Sequence, residues 1–172
     1  VLFRSGGGSG GTIDSMMNTI DQVREEPEIK RSLVDPYALC PADFPRGPDK
    51  RDQSGPVKDE QLGAWTAPFV MAGVNTKVVR RSNALMNAAY GADFSYIENM
   101  WAGKGAGGYL KALKITMGLA ALVIGGSVSV LRKLMLKTFL PEPGQGPSLE
   151  ERENGFYNFI MAGKADSGEQ IG

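Results

Sequence analysis

The chain has 172 residues, of which 42% are hydrophobic, so it is long enough for about one domain with a core of its own. It carries 19 basic and 19 acidic residues, and this neutral balance argues against a nucleic-acid binder. Histidine is absent and there is one cysteine, which excludes Ser-His and Cys-His catalytic pairs and an internal disulfide and argues against a metal site. The single thiol is typical of an intracellular protein.

Residues 1–34 are predicted to form a strand end, a glycine-rich turn and two helices. Val1–Phe3 has the composition of a strand end, and a helix follows with Thr12 as its N-cap and apolar residues at helical spacing. Pro27 is expected to end that helix and to open the next one. The second helix should end before Asp35–Pro36, because a residue that precedes proline is restricted to extended conformations.

Residues 35–63 form a Pro-rich, charged loop, and loops of this length usually have a function or are partly disordered. Residues 64–108 are predicted to form a strand–helix–strand core. Pro68 confines the first strand to an edge or an end, and Gly91 is expected to stop the helix. The apolar stripe of the helix comprises Val74, Val78, Leu85, Met86 and Ala89, and the half-buried second strand contains Phe94, Tyr96 and Met100.

Two glycine patterns match G-x-G-x-x-G, which is the sequence of a dinucleotide-binding turn. We interpret both as turns, because the first helix leads to a proline and a loop rather than to a second parallel strand, and the second helix is too apolar. No cofactor-binding residue is therefore predicted within the chain. The patterns are Gly6, Gly8 and Gly11, and Gly103, Gly105 and Gly108.

Residues 109–140 are predicted to form one long apolar helix or two helical pieces. No charge interrupts the chain from Ile115 to Leu131, which is slightly shorter than a membrane-spanning helix requires. Basic residues flank this stretch, and no acidic residue occurs between Glu98 and Glu142. Three interpretations stay open: contact with a membrane or lipid surface, a buried core helix, and a true span. The expected membrane-contact residues are Trp101, Lys104, Tyr109, Lys111, Lys114, Arg132, Lys133 and Lys137.

Residues 141–172 are predicted to comprise a turn-rich linker, a short helix and a terminal strand. Ser148 and Glu151 have the spacing of a capping box, and Gly155 should end the short helix. The order of elements predicts an α+β fold, with a mixed sheet, packed helices and one long apolar helical segment.

Several stretches together resemble the saccharopine dehydrogenase-like oxidoreductases, a group that includes the trans-acting enoyl reductases. The most specific block runs from Trp65-Thr66-Ala67-Pro68-Phe69 through Asn75-Thr76 to Arg80-Arg81-Ser82-Asn83-Ala84-Leu85. Weaker support comes from Ser9-Gly10-Gly11-Thr12, Asp35-Pro36-Tyr37 and Gly146-Pro147-Ser148.

The resemblance implies that the chain is the C-terminal half of a longer oxidoreductase. An N-terminal Rossmann domain binding NADP(H) would then lie outside this chain, and the chain alone would be neither catalytic nor able to bind the cofactor. The family resemblance also implies a role in lipid metabolism, including glycolipid biosynthesis. The expected partners are that missing Rossmann domain, a membrane or lipid-droplet surface and a second copy in a homodimer, with no nucleic acid.

No catalytic residue can be assigned from the sequence, but polar residues near the predicted helix could face a substrate. For the two arginines of this set, the alternative is that they lie on a solvated helix face. The substrate-side candidates are Asn75, Arg80, Arg81, Ser82, Asn83 and Tyr90. A non-catalytic scaffold that docks on lipid surfaces is an alternative function, and a core fragment without a membrane role is another.

Overall fold

The computed structural model describes residues 2–4, 10–138, 148–165 and 170–171. The helices are α1 (Gly10–Glu25), α2 (Pro27–Val34), α3 (Ala72–Leu85), α4 (Gly105–Ser127), α5 (Ser129–Thr138) and α6 (Leu149–Glu153). The strands are β1 (Leu2–Arg4), β2 (Val57–Asp59), β3 (Ala64–Pro68), β4 (Asn99–Gly103), β5 (Phe156–Asn158), β6 (Gly163–Lys164) and β7 (Gln170–Ile171). The linker predicted over 141–147 lies outside the described residues.

The strands form a three-stranded sheet in the order β2–β3–β4 and two pairs, β1–β5 and β6–β7. In the three-stranded sheet, Thr66 of β3 is paired with Val57 on one side and with Trp101 on the other. The α+β class and the long apolar helix are confirmed. The expected mixed sheet is wrong, because every described strand pair is antiparallel.

Helix α4 packs against the three-stranded sheet through small side chains. Ala67 and Ala112 are fully buried at this interface, and Ala102 is 4% exposed. Trp65, Met100 and Ile115 surround these alanines and cover them with larger apolar groups. Because alanine has a small side chain, the helix can approach the strands closely here.

The turn from β4 into α4 depends on glycine. Gly103 and Gly105 adopt positive φ angles of 121° and 62°, which L-residues with a side chain rarely adopt. At Gly108 a Cβ atom would lie 2.1 Å from the carbonyl oxygen of Gly103. The first turn of α4 therefore sits on the end of β4 at a distance that only glycine permits.

The far end of α4 packs against α1 and α5. Met17 of α1 is 1% exposed, and its sulfur lies 2.8 Å from where a Cβ of Gly126 would stand. Arg132 of α5 makes an ion pair with Asp21 of α1, with 2.5 Å between Nη1 and Oδ2. The structure shows two helical pieces, α4 and α5, separated at Val128, and residues 139–140 of the predicted segment lie outside the described residues.

A buried ion pair connects the Pro-rich loop to α3. Nε of Arg80 lies 2.5 Å from Oδ2 of Asp49, and the two side chains are 2% and 1% exposed. Arg80 also donates to the carbonyl oxygens of Pro36 and Tyr96, at 3.3 and 2.9 Å. Asp49 accepts further bonds from the Ser95 hydroxyl and the Tyr96 amide. The pair therefore joins three segments that are distant in sequence.

Lys77 makes a second buried polar connection, between α3 and the end of α2. Its Nζ donates to the carbonyl oxygens of Leu33 and Gly73, at 2.8 and 2.7 Å, and the residue is 5% exposed. Burial lowers the pKa of Lys77, because the charged form loses hydration. The polar face of α3 is thus the face that packs into the protein.

This arrangement corrects the predicted orientation of α3. The expected apolar stripe points outward, since Val74, Val78 and Leu85 are 53%, 49% and 60% exposed. Arg80 does not lie on a solvated face, because it is 2% exposed and contacts Asp49 and three other polar partners. Hydrophobic periodicity found the helix but assigned its inner face wrongly.

Several predicted element ends are also wrong. Thr12 lies inside α1 rather than at its N-cap. Helix α3 ends at Leu85, six residues before Gly91, because Asn87 and Ala88 adopt positive φ angles. The strand that was predicted to end the chain is β5, and it is not the last strand, since β6 and β7 follow it. Phe94 and Tyr96 lie in an irregular segment before β4.

Strand β2 was not predicted within the Pro-rich loop. By contrast, the structure confirms that Pro27 separates α1 from α2 and stands at the first helical position. It also confirms that Pro68 ends β3 and that a short helix, α6, follows Ser148.

We expect Arg80→Ala to destabilise the fold by about 3–5 kcal/mol, because Asp49 would stay buried without a counter-charge. The matched change is Arg81→Ala: Arg81 is exposed and makes one hydrogen bond to the Leu39 carbonyl, so we expect a loss below about 1 kcal/mol. Urea unfolding followed by circular dichroism measures both. Equal losses for the two variants would contradict the structural role of Arg80.

Adjacent glycines in α4 provide a second matched pair. Gly108→Ala should destabilise the fold, because the new methyl group would overlap the Gly103 backbone. Gly107→Ala meets no atom within 4 Å and should stabilise the helix by about 0.5–1 kcal/mol, since alanine loses less backbone entropy. Thermal unfolding compares them. A Gly108→Ala protein as stable as the Gly107→Ala protein would rule out the close contact.

Candidate functional site

A solvent-open cleft of about 580 Å³ lies between the Pro-rich loop and the start of β4. Residues 50–55 and Val57 form one wall, and residues 97–99 form the other. This volume is within the range of small-molecule sites, roughly 300–1,000 Å³. Seven of its ten lining residues carry charged, amide or hydroxyl side chains, although carbon atoms form most of the surface inside the cleft. The cleft thus offers both polar groups and apolar surface.

The carboxylate of Glu98, at the wall of the cleft, accepts a hydrogen bond at each of its oxygens. Tyr96 donates its hydroxyl proton to Oε1 of Glu98 at 2.8 Å, and Nδ2 of Asn75 donates to Oε2 at the same distance. Each carboxylate oxygen thus has a neutral donor behind it. This arrangement fixes the carboxylate while leaving it at the wall of the cleft.

The Glu98 carboxylate also affects Tyr96. Burial, the hydrogen bond to Glu98 and the negative charge of Glu98 together raise the pKa of Tyr96 to about 12. The phenol therefore keeps its proton throughout the neutral range and acts as a hydrogen-bond donor. A carboxylate and a protonated phenol in contact form a pair through which a proton can pass to or from a bound molecule.

The loop wall of the cleft is held by hydrogen bonds to the sheet and to α3. Gln53 donates from Nε2 to the Thr66 carbonyl oxygen at 3.0 Å, and its Oε1 lies 3.1 Å from the Thr66 hydroxyl. Oδ1 of Asp52 lies 3.1 Å from the hydroxyl of Thr76. Because Thr66 and Thr76 are 2% and 0% exposed, these contacts anchor the loop on rigid elements.

Among the predicted substrate-side residues, Asn75 is the one that contacts a cleft-lining side chain. Arg80 belongs to the buried ion pair, and Arg81 donates to the Leu39 carbonyl. The Ser82 hydroxyl donates to the Val78 carbonyl of its own helix, at 3.0 Å.

The remaining two candidates lie at the turn after α3. Asn83 donates to the Gly91 carbonyl oxygen and accepts from the Tyr90 amide, at 3.1 and 2.8 Å, so it stabilises the turn. The Tyr90 ring packs on Phe94 with 5.2 Å between centroids. The structure thus brings Asn75 to the cleft and places the other five elsewhere.

The predicted membrane-contact residues divide into two groups. The exposed group is Lys104, Lys111, Lys114, Lys133, Lys137 and Tyr109. Trp101 is half-buried in β4 beneath Lys111, whose Nζ lies 5.8 Å from the ring centroid, and Arg132 is held by Asp21. By length and composition, helix α4 could cross a membrane, and 17% of its most apolar 18-residue stretch is buried in the protein.

The second glycine pattern lies in a strand–turn–helix unit, as a dinucleotide-binding turn would. The sheet around it is antiparallel, however, so the described strands lack the parallel βαβ arrangement of such a site. Gly6 and Gly8 of the first pattern lie outside the described residues. In the described part of the chain, no three acidic or cysteine side chains converge as metal ligands.

Sequence reasoning missed Glu98, Tyr96 and the loop residues Lys50 and Arg51. The signal available for them was indirect. A long charged loop suggested a function without locating it, and Tyr96 had the spacing of a strand residue. Their proximity follows from the Arg80–Asp49 pair, which connects 31 positions in sequence and is not visible in any local pattern.

Comparison with known proteins found relatives for most of the chain. A Mycobacterium tuberculosis protein with the provisional name trans-acting enoyl reductase is 38% identical over 170 aligned positions, which cover 88% of this chain and 38% of that protein. The trans-acting enoyl reductases of Mycobacterium bovis and Mycobacterium ulcerans are each 34% identical, over 88% and 87% of this chain and 38% of their own lengths. No family model and no solved structure matches the chain.

The chain spans 38% of the length of these relatives. The chain is therefore similar to one part of the trans-acting enoyl reductases.

Proposed function

We propose that the chain forms the substrate-side part of an NADP(H)-dependent oxidoreductase of the saccharopine dehydrogenase-like group. The observation that carries this proposal is the 34–38% identity to trans-acting enoyl reductases over about 88% of the chain. The proposed reaction is reduction of a carbon–carbon double bond conjugated to a carbonyl group, as the name of the relatives says of them.

In such a reduction, hydride from the nicotinamide adds to one alkene carbon and a proton adds to the other. We assign the proton-supplying and substrate-orienting role to the cleft around Glu98. The Glu98 carboxylate, held by Tyr96 and Asn75, would take up a proton from solvent in the open cleft and pass it to the alkene carbon next to the carbonyl, which regenerates the carboxylate. The hydride would come from a cofactor held by a region outside this chain, which we place as an N-terminal Rossmann domain.

The outward apolar face of α3 supports a packing partner for this chain. Val74, Val78 and Leu85 are each about half exposed and form one stripe along the helix. Single exposed apolar residues are common on protein surfaces, whereas a contiguous exposed apolar stripe along a helix is uncommon. We assign this face to the cofactor-binding region, with a second copy of the protein as the alternative occupant.

A chimera tests the reductase function. The matching segment of the Mycobacterium tuberculosis relative is replaced by this chain, and enoyl thioester-dependent oxidation of NADPH is followed by absorbance. We expect the chimera to be active and Glu98→Gln to lower kcat by about 10²–10⁴-fold, the range for loss of general acid–base catalysis. Asp59→Asn, a carboxylate outside the cleft, is the control.

Two results would oppose the assignment. One is a folded chimera that binds NADPH but leaves enoyl substrates unreduced. The other is a Glu98→Gln chimera as active as the Asp59→Asn chimera, which would remove Glu98 from the reaction while leaving the reductase function in place.

A second candidate function is docking on a lipid surface, including that of a lipid droplet. It is supported by the outward face of α4, where Leu110 and Met117 are 55% and 62% exposed beside exposed lysines. Basic residues near an anionic surface contribute about 1 kcal/mol each, so several could hold a marginally apolar helix there. This function is compatible with the reductase proposal, and it also describes a non-catalytic scaffold.

Flotation with anionic liposomes tests the docking function. Changing Lys104, Lys111, Lys114 and Lys133 to Glu should abolish co-flotation, since all four are exposed and none is part of a described ion pair. Arg132 is left unchanged, because its loss would break the contact with Asp21. Lys30→Glu and Lys58→Glu, exposed lysines on α2 and β2, are the controls. Liposome binding that survives the fourfold change would exclude electrostatic docking by α4.

A further inference from the structure

The cleft around Glu98 has two apolar side chains in its lining, and one of them adjoins Glu98 in the chain. Apart from Gly55 and the seven lining residues with charged, amide or hydroxyl side chains, the cleft is lined by Val57 and Ile97. Ile97 is 63% exposed and directly precedes Glu98. Consecutive Cα atoms are about 3.8 Å apart, so a molecule that contacts the Glu98 carboxylate comes within reach of the Ile97 side chain.

Although Ile97 is exposed, the residues on both sides of it are held. The Tyr96 amide donates to Asp49 at 3.1 Å, and the Tyr96 carbonyl oxygen accepts from Arg80 at 2.9 Å. On the other side, the Glu98 carboxylate accepts from the Tyr96 hydroxyl at 2.8 Å. A β-branched side chain on a backbone fixed in this way has few rotamers available. Ile97 therefore presents a rigid apolar surface to the cleft, as discrimination between substrates by size requires.

The proposed reduction defines which part of a substrate lies beside Ile97. Glu98 passes its proton to C2, the alkene carbon next to the thioester carbonyl. A proton donor acts from within hydrogen-bond reach, roughly 2.6–3.2 Å between heavy atoms. The substituent on C2 is therefore the part of the substrate that is closest to the side chain preceding Glu98.

We propose that Ile97 determines whether the site accepts a branch at C2, and that it makes the site selective for enoyl thioesters that are unbranched there. The inference rests on the proposed reductase function, which is what brings C2 to Glu98. A methyl group on C2 would have to displace a side chain whose backbone is fixed. One methyl group changes specificity about 10–200-fold in an apolar pocket, and we expect the lower end of this range because the cleft is open to solvent.

The chain offers two control positions. Val57 lines the same cleft and is 47% exposed. Through Thr66 it is aligned with Trp101, which is four positions from Ile97, and four positions of extended chain span roughly 13 Å. Val57 thus controls for effects on the cleft as a whole. Ile160 is an isoleucine of similar exposure, 52%, that lies outside the cleft, so it controls for the loss of an exposed isoleucine.

The test uses two neutral thioesters, but-2-enoyl- and 2-methylbut-2-enoyl-N-acetylcysteamine, whose binding to the full chain is titrated by ligand-observed NMR. We expect the unbranched thioester to bind about tenfold more tightly. Ile97→Ala should bring this ratio to about one by improving the branched complex, and Ile97→Val should give an intermediate ratio. Val57→Ala should change both affinities equally, whereas Ile160→Ala should leave both unchanged.

The same preference is then measured as the ratio of kcat/KM values in the chimera. The proposal is overturned by equal affinities in the unchanged chain, by no saturable binding of either thioester, or by an Ile97→Ala chain that behaves like Ile160→Ala. An active chimera whose preference does not respond to Ile97→Ala also overturns it and keeps the reductase function. A chimera that binds NADPH but reduces neither thioester, with the expected binding ratios in the chain, rejects the reductase function and keeps the steric role of Ile97.

Discussion

The contact between Arg80 and Asp49 fixes the Pro-rich loop, α3 and the segment before β4 relative to one another. A long loop with five prolines cannot form a sheet or a helix over most of its length, so something other than backbone ladders must hold it. A guanidinium with a carboxylate, two carbonyl oxygens and a hydroxyl around it does this at one point. Burying such a pair has a desolvation cost, and the cost is offset because each side-chain nitrogen and oxygen of the pair has at least one hydrogen-bond partner.

The cleft is a consequence of that contact. Asp49 is held at α3 and Gln53 is held at β3, so the residues between and after them must bulge outward as a wall. The Tyr96 backbone is fixed by the same ion pair, through its amide and its carbonyl. Glu98 is two residues further on and therefore has a defined position opposite the loop. A site of this kind can be stable without a large apolar core, because polar contacts on rigid elements position both walls.

Much of the local structure could be predicted from sequence, since proline positions and helical periodicity depend on near neighbours. The break at Pro27, the end of β3 at Pro68 and the two-piece apolar helix are examples. The inner face of α3 could not be predicted this way. Hydrophobic periodicity shows that a helix has an apolar and a polar face. It identifies the apolar face as the buried one only where no other protein region or chain covers that face. Here Val74 and Val78 point outward while Lys77 and Arg80 are buried, a pattern set by contacts with residues distant in sequence.

The same reasoning limits what the composition of α4 can mean. One face is apolar because Ala112 and Gly108 pack on the sheet and on the end of β4. The last turn of α4 has glycines because Met17 and Met135 come close to Gly126 and Gly125. A bilayer span would remove α4 from the sheet and expose the alanines that form the core. It would also bring Lys111 and Lys114 into the apolar layer, where charge is costly. The apolar composition is thus explained by packing on the inner faces of α4, and its outward face is apolar with lysines beside it. That geometry is compatible with the proposed docking on a lipid surface.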